Sequence, residues 1–482
     1  MIDVFYFYHM PVAVLGLGKS GLATCKALME SDAEVWAWDD NEDSRQRARE
    51  EGIPLVDLYT CNWKELTTLV LSPGIPLHHP EPHPVVNLAK AADVEIVCDI
   101  ELLARAQRDA SYIGITGTNG KSTTTALIGH IMQLSGREAD IGGNLGPAAL
   151  TLDPMEEGGS YVLEMSSYQL DLTVSITWDI AVLLNISADH LDRHGGMDGY
   201  VAAKRQIFHR QTDPKSAIIG IDDKHCEAIY EDLADVGDQV VVPISGEKRI
   251  HGGVYVVNGV LVDDMDGQEV PVTDLKEIPS LQGRHNWQNA AAAYAACRRA
   301  GVEGRVIMAC LQSYPGLVHR QEPVEVVDGV AFVNDSKATN GAAAAKALAC
   351  YDDIYWIAGG RPKDGGIDGL GDYFPRIRQA FLVGEAALGF GQVLDGKVPF
   401  TISGTVDKAV EQAFDQAKKD KAAKPVVLLS PACASWDQFK SFEDRGDLFK
   451  ETVEALPGEH LDPMEAADAF RAGDGNPDGE TA

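Results

Sequence analysis

The stretch SYIGITGTNGKSTTT, residues 111–125, decides how this chain is read. A strand-like run, Tyr112 to Thr116, leads into Gly117-Thr118-Asn119-Gly120-Lys121-Ser122-Thr123, and a hydroxyl-rich run follows. The common phosphate-loop pattern G-x-x-x-x-G-K-[ST] requires a glycine five residues before Gly120, where this chain has Ile115. The physical requirement is still met. A strand end, backbone N–H groups that converge on phosphates, a lysine for the β/γ oxygens and a hydroxyl for Mg²⁺ can all come from Gly117 to Thr123. The bland alternative is a glycine turn capped by Ser122.

Outward from this loop, short apolar strands alternate with helical stretches along nearly the whole chain, which is the pattern of α/β domains on parallel sheets. Towards the N-terminus, PVAVLGLGKSGLATCKALMESDAEVWAWDD (11–40) reads as strand, glycine turn, helix and second strand. A helical run, EIVCDIELLARAQRDAS, closes a first domain near residue 108, and SYPGLVHR marks the second linker. Four segments are expected: a Rossmann-like domain over 1–108, a central ATPase-like domain over 109–317, a second Rossmann-like domain over 318–456, and an acidic, mobile tail over 457–482. Residues 1–9 read as an over-long start, with Met10 the natural beginning.

Gly16-Leu-Gly-Lys-Ser-Gly21 matches G-x-G-x-x-G between a strand and a helix, with Asp39-Asp40 about 20 residues on. Its physics supports a pyrophosphate resting on a helix N-terminus. That pyrophosphate could belong to NAD, which keeps a dehydrogenase reading open, or to a sugar nucleotide.

Composition narrows the partners. The formal net charge is −32, with 73 acidic against 41 basic residues, so nucleic acid and anionic membranes are unfavourable partners. The acidity suits either a salty cytosol or an ordinary acidic protein. Eight cysteines lie scattered without a C-x-x-C pair, as reduced cytosolic thiols do. No apolar run of transmembrane length and no signal peptide are evident, so a cytoplasmic location is expected.

TGTNGKST resembles the ATP loop of the Mur ligase family, in which the leading glycine is displaced in the same way. Further blocks carry the resemblance in order: GGNLG (142–146), LEMSSYQLD (163–171), NISADHLDRH (185–194), NDSKATN (334–340) and SPACASWDQFKSFEDRG (430–446). SSYQLD and the last block are most similar to the members that add D-glutamate. The alternative within the family is a sister ligase for another amino acid.

The resemblance implies three α/β domains and an ATP-dependent amide ligase of peptidoglycan precursor synthesis, acting as a monomer on UDP-N-acetylmuramoyl-L-alanine and D-glutamate. Lys121 and Ser122 resemble the phosphate lysine and Mg²⁺ hydroxyl, and Glu164 and His190 resemble Mg²⁺ ligands. Lys204 resembles the lysine whose carbamate, made from CO₂, binds a second Mg²⁺. Carbamylation needs a neutral amine, so its site should depress the lysine pKa.

For the nucleotide, Asn286 and Asn289 resemble adenine contacts, Arg320 a γ-phosphate contact, and Asp335 a ribose or hinge-side contact. Lys337, Thr339, Lys363, Ser435 and Phe442 resemble the D-glutamate pocket. Lys19, Ser20, Asp39 and Asp40 hold the positions of the uridine diphosphate site, and Asn144 that of a contact to the muramoyl or alanyl portion. Lys19 and Asp40 depart from the residue types usual there.

Overall fold

The computed structural model describes residues 1–363 and 365–470. Three sheets carry the fold, and each owes its position to strands too apolar to face water on either side.

The first sheet holds the parallel strands Pro11–Leu15, Glu34–Trp38, Thr68–Leu71 and Glu95–Val97, with the first strand between the second and third. Helix Lys19–Glu30 follows the first strand through a turn in which Gly16 has φ +93°. A Cβ on Gly21 would lie 1.8 Å from the Gly16 carbonyl oxygen, so the glycines allow helix and strand to meet closely.

Two sequence expectations change here. The run expected as one helix splits into strand Glu95–Val97 and helix Asp99–Ala106, since Ile96 and Val97 join the sheet before the helix begins. Residues 1–9, read as an over-long start, are packed into the fold. Ile2, Val4 and Phe7 are buried, the Ile2 N–H donates to Leu150 O (3.0 Å), and the Val4 N–H donates to Ser31 Oγ (2.7 Å).

Seven of the nine strands of the central sheet run in the order Val254–Val257, Val240–Ser245, Ser216–Gly220, Ile180–Leu183, Ser111–Thr116, Ser160–Glu164 and Ala139–Gly143, all parallel to one another. Register places Ile115 beside Glu164 and Thr116 beside Leu183. The loops leaving these three strands therefore open at one edge, where α/β sheets bind ligands.

The third sheet has the order Phe400–Gly404, Ile377–Val383, Asp353–Gly359, Pro425–Leu429, Val330–Asn334, Glu322–Val327 and His460–Leu461. Its first five strands are parallel and the last two pair antiparallel.

Part of the expected tail is thus folded. Val326 pairs with Leu461, and Phe470 is fully buried in the core of this sheet. Residues 471–482 of that tail lie outside the described residues.

The described residues fall into two compact units: 1–257, 262–270 and 288–310 in one, and 258–261, 271–287, 311–363 and 365–470 in the other. No helix of the described residues is long and apolar enough to cross a membrane.

Candidate active site

The loop after strand Ser111–Thr116 turns into helix Lys121–Leu134 with Gly117 at φ +152° and Gly120 at φ +86°. Gly120, which has no side chain, stands at the N-cap, so the first turn of the helix begins on bare backbone. That is the construction of an anion site.

The Lys121 amine folds back over the loop, donating to Gly117 O (2.8 Å) and Thr118 O (3.0 Å). Thr118 Oγ1 accepts from the Ser187 N–H (3.0 Å), and the Asn119 N–H donates to Asn185 Oδ1 (2.9 Å). Asn289 packs against Gly120: a Cβ there would lie 2.1 Å from Asn289 Oδ1. Ser122 and Thr123 fall in the first helical turn, with Thr123 buried.

Glu164 ends the neighbouring strand and is buried. Its Oε1 accepts from Asn144 Nδ2 at 2.8 Å, while Oε2 is buried without a partner. A buried carboxyl oxygen without a partner is a fitting ligand for a cation. Asn144 is thereby placed as the group that orients Glu164.

His190, with φ +50°, starts the short helix Leu191–His194; its ring is exposed and lies 5.6 Å from that of Tyr168.

Lys204 lies buried on helix Met197–Arg205. Its amine donates to Gly117 O (2.9 Å), approaches Thr116 Oγ1 (3.4 Å) and sits over the Tyr200 ring (4.7 Å). Burial, with the Lys121 charge nearby, pushes this amine down to about 7 against the pull of Asp189. The depression expected of a carbamylated lysine is present. Among the described residues, no group of three or more His, Cys, Asp or Glu side chains could hold a metal ion.

A cleft of about 500 Å³ opens at the first sheet, lined by Gly16, Gly18, Lys19, Ser20, Asp39 and Asp40 among others. Asp39 accepts from the Leu17 N–H (2.7 Å) and the Asn41 N–H (2.8 Å), which places it in holding the turn. Asp40 takes bonds from His83 Nε2 (2.9 Å) and the Tyr59 hydroxyl (3.0 Å). Despite its partial desolvation, those bonds hold its carboxyl below the usual range. The Lys19 amine donates to Gly146 O, so the first sheet's glycine turn is tied to the GGNLG segment of the central sheet.

In the other unit, three strand ends gather the remaining candidates. Asp335 follows strand Val330–Asn334, is buried, and accepts from Ser430 Oγ (2.8 Å) and the Gln321 N–H (3.2 Å). Burial pushes its carboxyl up to about 7. The Lys337 amine lies 3.8 Å from the Phe442 ring centroid, and Lys363 Nζ is 3.4 Å from Thr339 Oγ1. Ser435 is buried in the loop after strand Pro425–Leu429. The Arg320 N–H donates to Leu317 O (3.1 Å), and the Asn286 amide to Gln282 O (2.9 Å).

Comparison with known proteins decides the family. The Mur ligase middle domain matches residues 115–297. UDP-N-acetylmuramoylalanine--D-glutamate ligase of Rhodospirillum rubrum is 52% identical over 461 residues, 95% of this chain and 97% of that one. The same enzyme of Caulobacter vibrioides is 50% identical over 462 residues, 95% and 98% of the two chains. The chain belongs to the Mur ligase family.

Among solved Mur ligases, UDP-N-acetylmuramate-alanine ligase of Thermotoga maritima aligns with a TM-score of 0.54 at 16% identity, covering 93% of this chain and all of that one. That likeness bears on the fold alone.

Three residues of this Mur ligase were missed from sequence. Tyr200 joins two parts of the site, its ring under the Lys204 amine and its hydroxyl 3.2 Å from Thr118 Oγ1. Asp99, buried and pushed up to about 6 by desolvation, bonds Ser20 beneath the cleft. Arg445 is buried and donates to Ser336 Oγ (2.9 Å) and Ser336 O (2.8 Å), locking the NDSKATN loop. Tyr200 had a signal in its i,i+4 spacing to Lys204 on one helix. Asp99 and Arg445 had none, because only tertiary contact buries them.

Proposed function

We propose that this chain is the ATP-dependent ligase that joins D-glutamate to UDP-N-acetylmuramoyl-L-alanine in peptidoglycan precursor synthesis. One observation carries the reading. A helix N-terminus without a side-chain cap, the Lys121 amine, the partnerless Glu164 oxygen and the buried Lys204 amine all meet at one sheet edge. The relatives at 52% and 50% identity, aligned over nearly their whole length, bear the name of this activity.

A carboxylate is a poor electrophile, so its oxygen first takes the γ-phosphoryl group of ATP and ADP leaves. The amine of D-glutamate then attacks the acyl carbon, loses its proton, and expels phosphate from a tetrahedral intermediate. All partners are anionic. Two like charges about 4 Å apart repel by about 4 kcal/mol at an effective dielectric near 20, so fixed cations must gather at the reacting centre.

The loop from Gly117 to Thr123 would cradle the phosphates, with Lys121 serving the β/γ oxygens. Mg²⁺, when bound, supplies the remaining neutralisation. The donors that fit it are Ser122, Glu164, His190 and a carbamate on Lys204, which together make two sites. The buried, partnerless Glu164 oxygen and the readily neutralised Lys204 amine support this set.

Lys19, Ser20, Asp39, Asp40 and Asn144 form the nucleotide-sugar end of the proposal, with Asp39 and Asn144 acting through the groups they hold. Lys337, Thr339, Lys363, Ser435 and Phe442 form the amino-acid pocket. The roles that the family resemblance gives to Asn286, Asn289, Arg320 and Asp335 belong to the same proposal, as do domain borders near 108 and 317. The enzyme acts as a cytoplasmic monomer.

The test is phosphate release from ATP, which is to require both UDP-N-acetylmuramoyl-L-alanine and D-glutamate. Absorbance change with NADH in the absence of ATP would favour the dehydrogenase reading instead.

A further inference from the structure

The segment GGRPKDGG (359–366) carries a second basic residue that the proposed amino-acid pocket does not use. Arg361 stands at the carboxyl edge of the third sheet, just past strand Asp353–Gly359. Its backbone is fixed there by a two-way bridge, in which the Arg361 N–H donates to Ala434 O (2.8 Å) and the Ala434 N–H donates to Arg361 O (3.0 Å). The next residue after Ala434 is Ser435. On the other side, two residues on, Lys363 meets Thr339.

The approach admits little slack. Gly359 and Gly360 both have φ +128°, and a Cβ on Gly360 would lie 2.4 Å from Ala434 O. The start of the loop is therefore held where it is, whatever the side chain does.

The side chain itself is lightly engaged. It is 51% exposed, and its Nη2 lies 3.3 Å from Oε1 of Glu385, itself 53% exposed. An exposed pair at that distance is weak and exchangeable. A guanidinium also offers a planar fork of donors that matches a carboxylate, which an ammonium such as Lys363 does not.

We propose that Arg361 is a specificity-determining residue, a further cation of this pocket that leaves Glu385 to take one carboxylate of the incoming dicarboxylic amino acid. The assignment rests on the D-glutamate ligase reading above.

Steady-state kinetics of the full chain test it, with the KM of each substrate measured separately. Arg361→Ala is expected to raise the KM for D-glutamate by about ten-fold, the worth of one charge-assisted bond, with the KM for ATP and for the nucleotide-sugar acceptor unchanged. Arg361→Lys is expected to recover part of that loss. Glu385→Gln, which frees the guanidinium, is expected to lower the KM for D-glutamate.

An unchanged D-glutamate KM in Arg361→Ala would overturn the proposal. So would an equal rise for all three substrates, which is what a merely distorted loop gives, or a raised KM in Glu385→Gln. Wild-type enzyme that ignores D-glutamate would overturn the underlying function instead, so the two failures are distinguishable.

Discussion

The Lys204 amine donates to the Gly117 carbonyl at 2.9 Å, which sets a buried lysine directly behind the loop from Gly117 to Thr123. The contact ties the chemistry of helix Met197–Arg205 to that of the loop. Desolvation at that position, with the Lys121 charge for a neighbour, lowers the pKa of this amine to about 7.

A depressed lysine pKa destabilises the protein in a definite pH window. Lys204 is held near 7 in the folded chain against 10.5 in the unfolded one. Its stability contribution is present above about 10.5 and is lost as pH falls through about 7. Lys204→Met should therefore melt higher than wild type at pH 7 in CO₂-free buffer, and the gap should close by about pH 10.5. The same variant should have lost almost all ligase activity. Lys204→Ala should regain part of it when short-chain carboxylic acids are added. Full activity in the alanine variant would remove Lys204 from the site.

Asn144 acts through Glu164, to which its amide donates at 2.8 Å. Outer groups that orient a metal ligand are worth about 10–100-fold in affinity or activity. Asn144→Ala should accordingly raise the Mg²⁺ concentration for half-maximal activity by about ten-fold, a shift read from magnesium titrations at saturating substrates. An unmoved titration would place Asn144 elsewhere in function.

Gly120 admits no side chain. Its φ is +86° and an added Cβ would lie 2.1 Å from Asn289 Oδ1. Gly120→Ala should abolish detectable ATP binding by calorimetry, while Gly136→Ala, at a positive φ with nothing within 4 Å, should leave it intact. Equal effects at both sites would deny the loop its special role.

Asp335 titrates in the opposite sense to Lys204. Burial raises its carboxyl from 3.8 to about 7, so its stability contribution is complete below about 3.8 and is lost as pH rises through about 7. Asp335→Asn should gain melting temperature relative to wild type as pH climbs across that window. A constant offset from pH 4 to pH 8 would contradict the assignment.

The loop was legible because its requirements are local. Glycines at 117 and 120 and a lysine at a helix start announce themselves in one line of sequence. Glu164 was legible as a polar residue closing an apolar strand, once the loop beside it was known.

What Asn144 and Asp39 bond to could not be read. Both resemble ligand contacts by position, yet their polar atoms meet Glu164 in one case and backbone N–H groups in the other. Residues 1–9 and 457–470 misled for a related reason. A short lead-in and a Gly/Pro-rich end show no pattern of their own, but Val4 is buried and bonded to Ser31, and Phe470 is buried in the core of the third sheet. Local pattern carries the alternation of strands and helices and the loop chemistry; burial by distant segments leaves no periodic trace.

The most direct test is an amino-acid panel in the ATP-dependent assay, run with UDP-N-acetylmuramoyl-L-alanine and with glutamate of both hands. Phosphate release supported by D-glutamate and by neither L-glutamate nor another amino acid is the predicted result. Release with a different amino acid, or none with any, would contradict the account.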